Sequence, residues 1–148
     1  MSGRLISQGD LVPALLTLAA LRRLTADDPS AASVDTDVLD AHIEQAEALV
    51  EGYIASRYAV PLSTVPVVVK NLAARLVRYS LMTMGGGAPE AWLVEDRKEV
   101  LQALRDLREG KLDIGLTALG GDPAASPPTR IKSGGNDPTF GRSNLSGV

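Results

Sequence analysis

The 148-residue chain has no cysteine, one histidine, few aromatic residues and no long apolar run. Without cysteine there can be no disulfide scaffold and no thiolate metal site. No apolar stretch approaches the roughly 20 residues that cross a bilayer, so we expect no membrane partner. The first residues lack the apolar segment of a signal peptide, which fits a cytosolic origin.

Aromatic residues make up only 3% of the chain and apolar residues 45%, so the core must be built from Leu, Val and Ala. Such a core favours helices over a β-sandwich, which would use more β-branched and aromatic residues. The net charge is −3, with basic residues interspersed among acidic ones. Proteins that grip the nucleic-acid backbone usually concentrate Lys and Arg on one face, so this composition argues against that class.

The apolar spacing predicts an all-α protein: a small bundle of about four helices over residues 1–116, with a long irregular C-terminal tail. Ser7 and Asp10 form a capping-box pattern that begins a short helix, which Pro13 should disturb. A second short helical piece is expected over 14–24.

Three longer helices follow from apolar stripes at helical spacing. In the first, Glu44, Glu47 and Glu51 are predicted to lie outside, and in the last, Trp92 belongs to the apolar stripe. The helices are expected to run from Thr36 or Asp37 to about Arg57, from Pro66 to near Met82, and from near Pro89 past Leu107 to a C-terminal cap at Gly110.

Two prolines break the chain between the first two long helices. Pro61 and Pro66 lack a backbone N–H and push Val60 and Val65 out of the helical region. The stretch 52–66 is apolar, so we expect it to pack on the bundle and to fix the angle between the two helices.

Residues 117–148 differ in composition from the rest of the chain. These 32 residues contain six glycines and four prolines and show no helical or strand period. We expect an extended tail that docks on a partner subunit. Its predicted anchors are Arg130, Ile131, Lys132, Phe140 and Leu145.

No catalytic or cofactor-binding pattern emerges, and we expect no enzyme and no cofactor. His42 lacks a Ser-His-Asp or metal-ligand spacing and is interpreted as a helix-surface or interface residue. The Gly85–Gly87 run and the glycines at 134–135 do not have the order of a phosphate-binding loop.

Two groups of charged residues have open interpretations. Asp35, Asp37 and Asp40 superficially suggest calcium, but helix capping by Asp37 and Asp40 explains them better. A second group, Arg57, Arg75 and Arg78, is interpreted as forming salt bridges to glutamate faces of neighbouring helices, with a contact to a partner protein or to DNA as the alternative.

Residues 51–62 read EGYIASRYAVPL, followed by Val65–Pro66, ARLVRY at 74–79 and EGKL at 109–112. This order resembles a family of small proteins from Mu-like phages and prophages over about residues 5–116. Its structural signature residues here are Tyr53, Arg57, Tyr58, Pro61, Leu62 and Pro66.

That family looks like the head–tail adaptor, or head-completion, proteins of long-tailed phages. The resemblance implies a homo-oligomeric ring, usually dodecameric, beneath the portal protein. The ring would extend the DNA channel without binding DNA specifically and would receive a tail-side connector or tail terminator protein. The protein would be made in the bacterial host cytoplasm and reside in the neck of the virion.

Two other functions stay open. A DNA-binding regulator or packaging accessory protein is one, because helix–break–helix units can enter a major groove. However, the segment from Tyr58 to Val65 is longer and more apolar than the usual tight turn of that motif. A hydrolase that uses His42 is the other.

Overall fold

The computed structural model describes residues 4–12, 14–28, 30 and 32–120, and in these residues it shows helices and no strand. The predicted small all-α bundle is confirmed. None of the described helices is both long and apolar enough to cross a membrane. The helices are α1 (Gln8–Leu11), α2 (Leu18–Thr25), α3 (Thr36–Ile54), α4 (Val67–Thr83) and α5 (Ala91–Glu109).

The long helices α3, α4 and α5 form the core, and α4 is antiparallel to both others. His42 near the start of α3 contacts Ser80 near the end of α4, and Arg78 of α4 pairs with Asp96 near the start of α5. The predicted apolar stripes supply the buried side chains, among them Leu39, Ile43 and Val50 of α3, Val69, Leu72 and Val77 of α4, and Val100, Leu104 and Leu107 of α5.

Trp92 is an exception to the predicted stripes, because its side chain is exposed. Its neighbour Leu93 is buried. Successive residues on an α-helix point about 100° apart, so only one of the two can face the core here.

The two short helices begin at side-chain caps. The Asp10 carboxylate accepts a hydrogen bond from the Ser7 N–H at 2.8 Å, as the capping-box pattern predicts. Helix α2 begins later than expected, because the Thr17 hydroxyl accepts from the Ala20 N–H at 3.1 Å and caps the helix there. Residues 14–16 therefore form a turn.

Several ends of the long helices differ from the predicted ones. Asp35 caps α3, since its carboxylate accepts from the N–H groups of the second and third residues after it, so the predicted capping by Asp37 and Asp40 is wrong. Helix α3 ends at Ile54, before Arg57, and Pro66 is the N-cap of α4. Gly110 caps α5 in the left-handed conformation, as predicted.

Candidate partner-binding surfaces

The connector, defined as residues 55–66, packs against the bundle as expected. The Tyr58 side chain is 1% exposed, and Leu62 and Val65 lie partly buried against the core. Val60 is exposed, contrary to expectation. The connector thus fixes how α3 leads into α4.

All six signature residues lie in or beside this connector. Tyr58 and Leu62 line a cleft of about 230 Å³ together with Leu116, which follows α5 in the chain. The Tyr53 ring lies 5.7 Å from the Arg108 guanidinium, and Arg57 lies against Gly110. Pro61 is exposed, and Pro66 is the N-cap of α4.

Arg57 joins the connector to the end of α5. Gly110 has a φ of +76°, and a Cβ built there would lie 1.6 Å from the Arg57 Nη1 atom. The Arg57 guanidinium lies 5.8 Å from the Tyr58 ring centre. The backbone carbonyl of Arg57 accepts a hydrogen bond from the Leu119 N–H at 2.6 Å. Two features therefore require glycine at position 110: the left-handed backbone conformation, and the Arg57 side chain that occupies the place of a Cβ atom.

We expect Gly110→Ala to lower the free energy of unfolding by roughly 2–3 kcal/mol. The left-handed conformation costs about 1–2 kcal/mol for a residue with a Cβ, and the displacement of Arg57 adds to it. Gly86→Ala is the matched control, because Gly86 has a φ of +75° but no atom near its Cβ position. Urea denaturation of both variants measures the difference, and equal losses would contradict the role of Arg57.

Two of the three singled-out arginines are tied to α5. The Asp96 carboxylate contacts Arg75 at 2.5 Å and Arg78 at 2.8 Å, and Glu99 lies 2.9 Å from Arg75. The salt-bridge interpretation is confirmed for these two, although Asp96 and not a glutamate is their common partner. Burial raises the pKa of Asp96, but the hydrogen bonds and charges of Arg75 and Arg78 outweigh it and hold that pKa below its usual value.

Glu47 is buried at 8% exposure, so its predicted outward position is wrong. Its carboxylate accepts hydrogen bonds from the backbone N–H groups of Leu5 at 2.6 Å and Ile6 at 3.0 Å. These bonds fasten the start of the described chain to α3. Glu47 also lines a cleft of about 390 Å³ with Arg4, Glu44, Ala48 and Glu51.

His42 lies half-buried between α3 and α4, in agreement with its interpretation as an interface residue. Its Nδ1 atom contacts the Ser80 hydroxyl, and its Nε2 atom lies 3.2 Å from the Met84 sulfur. A catalytic Ser–His pair needs a third group, usually a carboxylate, to orient the imidazole. A thioether accepts hydrogen bonds only weakly, so this pair does not have that arrangement.

Two of the acidic residues near the start of α3, Asp35 and Asp40, have structural partners. Asp35 caps α3, and Asp40 pairs with Arg4 at 2.7 Å. Within the part of the chain that the structure describes, no three His, Cys, Asp or Glu side chains cluster as metal ligands would. Residues 85–87 lie in the loop between α4 and α5.

Large exposed apolar side chains concentrate at the two ends of the bundle. We name one the connector end, with Val60, Val67, Val68 and Leu119, and the other the loop end, with Met82, Met84 and Trp92. Val67 is 80% exposed and Met84 is 51% exposed. Two such side chains lie elsewhere in the described residues, at Leu18 and Leu49.

The predicted tail is described only at its start. Ala118 packs against the core, and the Leu119 N–H donates to the Arg57 carbonyl. The predicted anchors Arg130, Ile131, Lys132, Phe140 and Leu145 lie outside the described residues. The tail assignment therefore stays a prediction.

Comparison with curated proteins gives no match to this chain. The family model described as Bacteriophage Mu, Gp36 matches residues 6–133, which include all five described helices and the first part of the predicted tail. This match covers most of the chain and agrees with the resemblance to Mu-like phage proteins. The chain belongs to the Bacteriophage Mu Gp36 family.

Proposed function

We propose that this chain is a structural head–tail adaptor of a long-tailed phage. Copies of it form a ring beneath the portal, extend the DNA channel and receive a tail-side connector or tail terminator protein. It works by binding partners in the neck of the virion, not by catalysis. Membership of a phage protein family indicates a structural or morphogenetic phage protein, and the adaptor role is the specific form of it that we infer.

The family match over residues 6–133 is the observation that carries the proposal. The charge arrangement supports it, because the half-buried arginines of α4 are held by Asp96. A ring around moving DNA should not bind it tightly, and arginines used inside the bundle are not available for phosphate contacts. DNA would then pass through the lumen without specific binding.

The alternative as a DNA-binding regulator receives no support from the described helices. A recognition helix must project one face into a groove. Helix α4, which follows the break, instead contacts all four other helices and buries seven residues.

The C-terminal tail is proposed to dock on the portal or on a neighbouring subunit. It would order on binding, which costs conformational entropy but covers a large surface with few side chains. Its sparse apolar residues, Ile131, Phe140 and Leu145, would be the anchors.

Deletion of the gene from the phage that carries it tests the proposal. We expect DNA-filled heads and separate tails that fail to join, because the joining component is missing. Complementation with the full chain or with His42→Ala should restore joined particles, and a chain that ends at Gly120 should not. Joined, infectious particles that contain no copy of the chain would contradict the adaptor role.

A further inference from the structure

A charged cleft lies along one side of α3, beside the start of the described chain. We name it the α3 cleft; its volume is about 390 Å³, and its lining residues are Arg4, Glu44, Glu47, Ala48 and Glu51. Spacings of three and four residues place the three glutamates on one side of the helix. Arg4 compensates their charge only in part, because its guanidinium pairs with the Asp40 carboxylate at 2.7 Å.

The carboxylates of this cleft lack partners. Within the described residues, none of the three glutamates forms an ion pair. Glu47 is 8% exposed, and its Oε1 atom accepts two backbone N–H groups, while its Oε2 atom has no hydrogen bond in this part of the chain. The Oε1 atom of Glu51 is buried and also unpaired. Buried polar atoms of folded proteins are nearly always paired, so these two carboxylates indicate a missing donor.

The C-terminal tail contains cations that suit the cleft. Residues 123–136 include two cations, Arg130 and Lys132, and no acidic residue, so this stretch has a charge of +2. The nearest acids in the tail are Asp122 and Asp137, at either side of the stretch. The tail therefore offers positive charge to a cleft in which negative charge is in excess.

The spacing of the two cations matches that of the two unpaired carboxylates. In an extended segment, side chains two residues apart point to the same side and are about 6.6 Å apart. Glu47 and Glu51 are four residues apart on α3, which separates their Cβ atoms by about 6 Å. Arg130 and Lys132 can therefore reach both carboxylates at once when the tail lies extended along the helix.

The cleft is within reach of the tail of the same chain. The Leu119 N–H donates to the Arg57 carbonyl at 2.6 Å, so the tail leaves the bundle near the end of α3. Glu51 is in the last turn of α3, and the cleft extends about 10 Å further back along the helix. Residues 121–130 span up to about 33 Å when extended. A tethered segment also has a high effective concentration, which favours even weak contacts.

We infer that residues 130–132 dock in the α3 cleft of the same chain before it meets a partner. Because the tail arrives from the end of α3, Arg130 pairs with Glu51 and Lys132 pairs with Glu47. A portal or a neighbouring subunit that binds the tail must then displace these contacts. The inference concerns the isolated chain and goes beyond the proposed adaptor role without resting on it.

Paramagnetic relaxation enhancement in the purified full chain tests the docking. The chain has no cysteine, so Ser133→Cys can carry a single nitroxide label next to Lys132. We expect the label to broaden the backbone amide signals of Glu47, Ala48 and Glu51. No broadening of these signals would show that the tail does not dock in the cleft.

Charge reversal shows whether ion pairs hold the tail there. The double change Arg130→Glu and Lys132→Glu places acids against the cleft, so the broadening should be lost. Arg142→Glu is the matched control, because it reverses the third tail cation outside the docking segment, and it should leave the broadening unchanged. Raised salt should weaken the broadening, since ion pairs near the surface are screened. Equal broadening with and without the double reversal would contradict the inference.

A mixed sample distinguishes the chain's own tail from that of a second copy. It combines isotope-labelled chain that carries no nitroxide with nitroxide-labelled chain that carries no isotope. We expect no broadening of the cleft signals in this mixture, because each cleft is occupied by its own tail. Broadening would assign the cleft to the tail of another copy and overturn the docking within one chain. The adaptor role is tested separately by deletion of the gene, and its outcome does not depend on these signals.

Discussion

Replacement of Tyr58 by alanine is expected to lower the free energy of unfolding by about 3–5 kcal/mol, the usual cost of removing a large buried aromatic side chain. Tyr58 is the largest fully buried side chain among the described residues and holds the connector on the core. Its loss would leave a cavity at the point where α3 leads into α4. Urea denaturation monitored by circular dichroism measures the change.

Tyr58→Phe is the control for this prediction. The Tyr58 hydroxyl is buried and has no hydrogen-bond partner in the described residues. Removal of an unpaired buried polar group is neutral or stabilising, so Tyr58→Phe should keep or raise the stability. A loss of less than about 1 kcal/mol for Tyr58→Ala, or a large loss for Tyr58→Phe, would show that the connector is not anchored by the buried ring.

The second large effect is expected at Asp96. Asp96→Ala leaves Arg75 and Arg78 without their common carboxylate, and breaking a buried ion pair from one side costs about 3–5 kcal/mol. The side chains of all three are 15–21% exposed, so solvent screening should reduce the loss to roughly 2–3 kcal/mol. Glu95→Ala is the control, because the Glu95–Lys98 pair on the same helix is exposed and should contribute less than about 1 kcal/mol.

The Asp96 cluster also predicts an acid dependence of stability. The pKa of the Asp96 carboxyl group is lower in the folded protein than in the unfolded chain, where it is about 3.9. The stabilisation that the ionised Asp96 carboxylate gives to the folded protein is therefore complete above the unfolded-state pKa, and it is lost as the pH falls through the folded-state pKa. The stability difference between the unaltered chain and Asp96→Ala should shrink below about pH 4. A constant difference down to strongly acidic pH would contradict this role of Asp96.

The sequence predicts the long helices well because each carries its own apolar stripe. In α4, for example, Val69, Leu72 and Val77 are at helical spacing and are buried. Gly110 is also placed correctly, since a glycine after an amphipathic helix is a local signal. These features depend only on residues that are close together in the chain.

The contacts that the sequence does not reveal join distant residues. Glu44, Glu47 and Glu51 look alike in the helical pattern, yet only Glu47 meets the backbone of Leu5 and Ile6. The arrangement of Arg57 against Gly110 joins residues from different helix ends and has no local pattern. The exposed apolar side chains of the connector end and of the loop end likewise come from separate parts of the chain and are brought together only by the packing of the helices.

The signature stretch connects these observations to function. Helix α3 ends at Ile54, before the first of its prolines, whereas the second, Pro66, is the N-cap of α4, and Tyr58 buries the connector between the two helices. This geometry sets the direction of α4 relative to α3. The signature thus has a structural role, and the C-terminal tail is the proposed partner-binding segment.

The most direct test of the adaptor role is a cryo-EM reconstruction of the neck in the assembled phage particle. Our account predicts a ring of copies of this bundle directly beneath the portal, with residues 121–148 laid along the portal or a neighbouring subunit. A neck whose density leaves no place for this chain would contradict the account.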